Sequence, residues 1–178
     1  MALKSTVIKA DVQISNMDIN YYAQHSLTLA QHPSETDERL ILRVLAFMLH
    51  AGDSLEFGKG LSNEDEAALW EKDLTDHVTL WIEVGTPDEK RIRKACHKAD
   101  QVIIYAYGGR TVPIWWQQTQ KKLDRFSNLK ILSVDPESSA GLTAMLERTM
   151  QLQCTIQDGM IWVSNNQDTV QVLLEQLV

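Results

Sequence analysis

The residues Val78 to Val84 (VTLWIEV) are apolar at all but two positions, and after Gly85 the pattern changes to TPDEKRIRKACHKAD. Thr86 is a good N-cap, Pro87 suits a first helical position, and Asp88 and Glu89 suit the positive end of a helix dipole. Thr86 and Glu89 together spell a capping box. The spacing therefore predicts a helix from about Pro87, with Ile92, Ala95, Cys96 and Ala99 on its apolar side. Gln101 to Tyr107 is again short, β-branched and aromatic, so strand, helix and strand predict a right-handed parallel βαβ unit.

Elsewhere the periodicity is mostly two. Thr6, Ile8, Ala10, Val12 and Ile14 alternate with Val7, Lys9, Asp11 and Gln13; after the turn-like SNMDIN, alternation resumes from Tyr21 to Gln31, which predicts a long antiparallel hairpin. His32-Pro33-Ser34 ends it. Ser34 or Thr36 can cap the next helix, which runs to about Ala51 with Ile41, Leu45 and Met48 as its stripe and Leu42 and Leu49 beside it. Ser54 to Phe57 and Leu69 to Asp73 read as short strands, separated by a loop-like FGKGLSNEDEAA. After YGGR, Thr111 to Phe126 reads as a helix in which the adjacent Trp115 and Trp116 cannot share one face. One enters the core, and the other lies at a partly exposed edge. Leu129 to Val134 is a strand, and Asp135-Pro136-Glu137 starts a helix to roughly Glu147. Met150, Leu152, Cys154 and Ile156 alternate with Gln151, Gln153, Thr155 and Gln157, and Asp158-Gly159 is a hairpin signal. Thr169 to Leu174 fits a strand or a short helix.

A chain of 178 residues, 44% apolar and 23% charged, fits one globular domain. It carries no leader-like start at Met1 and no apolar run long enough to span a bilayer, so a cytoplasmic protein with no membrane partner is expected. Cys96 and Cys154 read as lone buried thiols, and the five histidines are scattered without zinc spacing. The net charge of −7 argues against indiscriminate nucleic-acid binding. Its distribution is uneven: Thr86 to Lys130 holds ten basic and four acidic residues, a local +6 that suits either a solvated helix face or a surface that meets phosphate.

Two acids stand out against the apolar pattern. Glu83 shares a strand face with Thr79 and Trp81, at the carboxyl end of a parallel strand, where ligands of open α/β sheets sit. It reads either as a carboxylate paired with a nearby Lys or Arg or as a metal ligand or acid/base group. Glu38 lies three residues before Ile41 and seven before Leu45, so it points along the core side of its helix. The cluster Glu64, Asp65, Glu66 reads first as a solvated loop.

From Ser34 the predicted order is helix, strand, strand, strand, helix, strand, which resembles the PD-(D/E)XK nuclease core. The phrases HPSETDER (His32 to Arg39), LWIEVGTPDEKRIRKA (Leu80 to Ala95), YGGR, IWWQQ (Ile114 to Gln118) and TIQDGMIW (Thr155 to Trp162) resemble the bacterial YaeQ family over nearly the whole chain. The resemblance implies an α/β (α+β) fold over residues 1–178. A central mixed sheet flanked by helices forms a restriction-endonuclease-like core at about 34–107, with N-terminal and C-terminal β-hairpins added.

It also implies a Mg²⁺- or Mn²⁺-dependent phosphodiesterase acting on nucleic acid. Glu83 and Glu66 would hold the metal, with Glu71 the second choice after Glu66, and Glu38 would support it through water. The family pattern is broken twice. Gly85 stands where the motif has lysine, so Lys90 or Lys94 is the candidate cation near the phosphate, and Ala68 stands where relatives often carry an acid. Arg91, Arg110, Lys121 and Lys122 are the candidate backbone contacts, with Trp116 the candidate stacking surface. The rival reading keeps the scaffold without the chemistry, as a protein that binds nucleic acid or a transcription-related partner such as RNA polymerase. A small-molecule hydrolase ranks last, because no nucleophile elbow or triad order is present.

Overall fold

The computed structural model describes residues 4–59 and 64–178, so Met1 and, in the expected loop, Gly60, Ser62 and Asn63 lie outside the described residues. The described chain is a mixed α+β fold with two mixed sheets and four helices. Its contacts divide it into two compact units: one runs through Met48 and takes up the chain again at Glu137–Leu173, and the other comprises Leu49–Pro136 and Leu174–Val178.

In the first unit, β1 (Thr6–Asn16) and β2 (Tyr21–Gln31) form the expected hairpin, in register from Thr6 opposite Gln31 to Asn16 opposite Tyr21. β8 (Thr149–Gln157) and β9 (Met160–Ser164) form the second, around a turn in which Asp158 and Gly159 both have positive φ (51° and 75°), the type I′ geometry that Asp-Gly favours. The two hairpins are not separate additions to a central sheet. β1 and β8 pair in parallel, and with β10 (Thr169–Val172) they make one five-stranded sheet in the order β10-β9-β8-β1-β2. Strict alternation explains why this pairing is stable: Ile8, Ala10, Val12, Ile14, Met150, Leu152, Cys154 and Ile156 are all buried on one face. Asp18 ties the two turns together, its carboxylate accepting from the Asp158 and Gly159 amides at 2.7 and 2.9 Å.

Helix α1 (Asp37–His50) is capped by Thr36, whose Oγ1 accepts from the Arg39 amide at 3.2 Å. The stripe read from sequence understates its burial, because every residue from Leu40 to Met48 is buried, Arg43 included. Arg43 is tolerated there because it donates to Glu35 Oε1 at 2.6 Å, and Arg39 pairs with Oε2 of the same carboxylate. Helix α4 (Pro136–Thr143) ends earlier than expected, in turns closed by Met145 N to Leu142 O and Leu146 N to Thr143 O.

The second unit is built on a six-stranded sheet in the order β11-β7-β6-β5-β4-β3. β3 is Leu55–Phe57, β4 Leu69–Lys72, β5 Val78–Val84, β6 Ala99–Ala106, β7 Leu129–Val134 and β11 Leu174–Gln176. β5, β6 and β7 are parallel, joined by α2 (Glu89–Lys98) and α3 (Thr111–Leu123), so the expected βαβ unit is present and is followed by a second. Ile92, Ala95 and Cys96 of α2 and Val112, Trp115 and Leu123 of α3 pack with Trp81, Val102, Ile104 and Ile131 of the sheet. The C-terminal segment, undecided from sequence, forms strands β10 and β11.

Helix α2 starts two residues later than expected. Asp88 is extended (φ −70°, ψ 163°) and caps it through Oδ1 on the Arg91 amide at 2.8 Å, while the Pro87 carbonyl accepts from Trp115 Nε1 at 2.7 Å. A tertiary hydrogen bond thus holds Pro87 out of the helix, and Asp88 takes the capping role expected of Thr86.

Candidate functional site

Glu83 sits next to last in β5, and its side chain leaves the sheet on the same face as Trp81, as the period of two requires. Only 4% of Glu83 is exposed. A carboxylate this deep must be hydrogen-bonded or paired, and Oε1 takes two hydrogen bonds: Trp81 Nε1 donates at 2.7 Å and Arg91 NH2 at 2.7 Å. Gly85, with φ +126°, turns the chain from the strand into the loop that starts α2, and the Asp88 cap places Arg91 in the first helical turn, back over Glu83.

Arg91 does more than pair with Glu83. Its NH2 also donates to the Glu66 carbonyl at 2.8 Å and its NH1 to the Glu64 carbonyl at 2.9 Å. One guanidinium therefore fastens the strand exit to the segment that carries Glu64, Asp65 and Glu66, using the fixed fork geometry that lysine lacks. The Glu66 carboxylate turns elsewhere and accepts from the Lys59 amide at 2.8 Å through Oε2. Glu71, on β4, is half-buried.

Lys94 pairs with Asp65, and this bond holds the Asp65 carboxyl below the ordinary carboxylate range although the group is exposed. Lys98 donates to the Asp65 carbonyl and lies over both Trp70 and Trp81, 5.8 and 5.6 Å from the ring centroids. Lys90 is exposed. Lys90, Arg91 and Lys94 line a cleft of about 350 Å³ with Glu64 and Asp88.

The other residues singled out from sequence fall elsewhere. Glu38 belongs to the first unit, where it accepts from Ser139 Oγ at 2.6 Å. Arg110 precedes α3 and is exposed, as are Lys121 and Lys122 in the last turn of that helix. Trp115 is the buried member of the tryptophan pair and Trp116 the half-buried one. None of Arg110, Trp116, Lys121 and Lys122 lines the cleft. Among the described residues, no group of three or more His, Cys, Asp and Glu side chains is arranged to hold a metal ion.

The donor set also fits a divalent cation poorly as it stands. Glu83 Oε1 is taken by two N–H donors, and the Arg91 guanidinium occupies the space between Glu83 and the Glu66 main chain. A hard cation seeks several oxygens and no fixed positive charge beside them.

Sequence reasoning missed a part-buried pair in the second unit, half-buried His50 and buried Tyr105, whose Nε2 and hydroxyl lie 2.5 Å apart. Burial, with a contribution from Lys130, pushes His50 down to about 4, so it is neutral at physiological pH, and burial pushes the Tyr105 hydroxyl up. Periodicity placed His50 only at a helix end and offered no signal for a partner 55 residues away.

A family model described as YaeQ protein matches residues 1–174. The chain belongs to the YaeQ family. It is 47% identical to the uncharacterized YaeQ proteins of Escherichia coli (strain K12) and Shigella flexneri, in each case over 98% of this chain and 96% of the relative. Among solved YaeQ structures, that from Xanthomonas axonopodis pv. citri superposes with a TM-score of 0.93 at 45% identity, covering 97% of this chain and 98% of the other. The Pseudomonas syringae YaeQ structure gives a TM-score of 0.93 at 32% identity, covering 98% and 96%. No helix among the described residues is long and apolar enough to cross a membrane.

Proposed function

We propose that this YaeQ protein binds the phosphate backbone of nucleic acid at the cleft beside the start of α2, and that it does so without cutting it. The observation that carries the reading is the Glu83–Arg91 pair. The acid that the nuclease resemblance assigns to metal already has a cation of its own, held at 2.7 Å and braced by two main-chain carbonyls. Glu83 then acts as the anchor that fixes Arg91 in the cleft, while Lys90 and Lys94 line the same cleft and supply further positive charge. Asp65 and Glu64 keep this charge compensated until a phosphate replaces them, which suits a chain whose net charge is negative. A cytoplasmic location belongs to the same proposal and accords with two cysteines that are buried and free.

The test is fluorescence anisotropy of labelled single- and double-stranded DNA and RNA over a salt series. Wild type is expected to bind with a steep negative slope of log K against log salt. Lys90→Ala/Lys94→Ala should flatten that slope by roughly 1.5, the loss of two phosphate contacts. Labelled strands should stay intact after incubation with Mn²⁺ or Mg²⁺. Cleavage lost in Glu83→Gln would establish the metal-dependent phosphodiesterase instead. Salt-insensitive capture of a protein such as RNA polymerase, with no nucleic-acid binding, would favour the transcription-related partner.

A further inference from the structure

The first unit carries a second surface that the cleft does not explain. The outward face of its sheet is laid with carboxamides. Gln24, Gln13 and Gln153 stand opposite one another across β2, β1 and β8, and the row continues to Ser164 on β9. One row along, Asp11 faces Ser26 on one side and Gln151 on the other. Apart from Ser26, these side chains line a trough of about 320 Å³ that ends at Asn165 and Asn166, and a neighbouring one of about 350 Å³ shares Gln151, Leu152, Asn165 and Asn166 with it and extends to Glu147 and Gln167.

The end wall is preorganised. Asn165 Oδ1 accepts from the amides of Gln167 and Asp168 at 2.9 and 2.7 Å, and the Asn165 amide donates to the Asp168 carbonyl, so the loop is held as a closed Asx turn. Among the described residues, the carboxamides of Gln13, Gln24, Gln151 and Gln153 take no part in the hydrogen bonds that hold the unit together. Each presents a donor and an acceptor to whatever lies in the trough.

The chemistry of the lining selects the class of ligand. Among the described residues, the charged side chains that line the two troughs are the carboxylates of Asp11 and, in the neighbouring one, Glu147, so a phosphodiester backbone would meet repulsion there. Neutral groups that donate and accept at once, as vicinal hydroxyls do, match the carboxamides. The spacing matches too, because neighbouring strands stand about 4.8 Å apart, comparable to the length of one pyranose ring. On the same face, the next row carries Tyr22, Ser15, Thr155 and Trp162 in register. Tyr22 is exposed and Trp162 half-buried, which gives a ring an apolar platform beside polar groups.

We propose that this trough binds a neutral oligosaccharide, the strands offering one carboxamide per sugar ring and Trp162 a stacking edge. The experiment is saturation-transfer NMR, followed by calorimetry, of full-length protein with maltotetraose, cellotetraose and chitotetraose, each up to about 10 mM, a range chosen for weak binding. At least one is expected to bind saturably. Gln13→Ala/Gln153→Ala should weaken that binding by roughly tenfold or more, through the loss of two hydrogen-bonding side chains. Both glutamines are exposed, and an unaltered melting temperature checks that the double variant stays folded. No saturable binding of any of the three sugars would overturn the proposal. So would binding that survives the double substitution, or a short single-stranded oligonucleotide that binds and is lost in it.

Discussion

Replacing Arg91 by alanine isolates the interaction on which the cleft depends. Glu83, 4% exposed with Arg91 in place, would keep Trp81 Nε1 as the surviving donor on Oε1. Breaking a buried pair by removing one partner costs about 3–5 kcal/mol, because the desolvation of the remaining charge is no longer offset. The carbonyls of Glu64 and Glu66 lose a donor as well, at about 1 kcal/mol each, discounted because the Arg91 side chain is 26% exposed and water can replace it. Glu83→Gln should be milder, at about 1–2 kcal/mol, since an amide oxygen can still accept from both donors. Placing Arg91→Ala on the Glu83→Gln background then removes a pair already neutral on one side, so the double variant should be less destabilised than the two singles added together, by about 1–3 kcal/mol. Urea unfolding of the four proteins, followed by fluorescence, measures the cycle, and in thermal scans Arg91→Ala should melt roughly 10 °C below wild type. A loss under about 1 kcal/mol in Arg91→Ala, or additive single and double variants, would refute the anchor role of Glu83.

His50 gives a pH prediction with a definite sign. Its pKa falls from 6.5 to about 4 on folding, so the unfolded chain binds the extra proton, and stability present above pH 6.5 is lost as pH falls through 4. The shift corresponds to about 3 kcal/mol, a difference that His50→Gln should lack when unfolding is compared at pH 7 and pH 4. Gly58→Ala should destabilise by about 2–3 kcal/mol in the same assay, because a Cβ there would lie 2.0 Å from the Ala67 carbonyl oxygen in a backbone pair closed by Gly58 N to Ala68 O. Melting unchanged from wild type would show that the segment relaxes freely.

How much of this was legible in the sequence depended on the range over which the signal acts. Alternation gave β1, β8 and the buried face they share, and Asp158-Gly159 gave its turn, because a period of two and a positive φ are local properties. The parallel pairing of β1 with β8 was not legible, since the partners are more than a hundred residues apart and the pattern of either hairpin is satisfied by any apolar cover. The start of α2 was displaced by Trp115 reaching Pro87, a tertiary bond that no capping rule contains. At the site, periodicity placed Glu83 on the face of Trp81 and left open whether it meets a cation or a metal. The cation is Arg91, which the resemblance places among the phosphate contacts, with Lys90 or Lys94 as the charge near the phosphate. Its position follows from the Asp88 cap and the turn at Gly85, which together set the phase of the helix against the strand.

On the proposed reading Glu83 anchors Arg91 instead of holding a metal ion, and calorimetric titration of Mn²⁺ into metal-free wild type and Glu83→Gln separates the two roles. The geometry predicts no binding that depends on Glu83, and the same weak, featureless heats from both proteins up to millimolar metal. Saturable binding to wild type that Glu83→Gln abolishes would contradict it, for Arg91 would then have yielded its place to the ion.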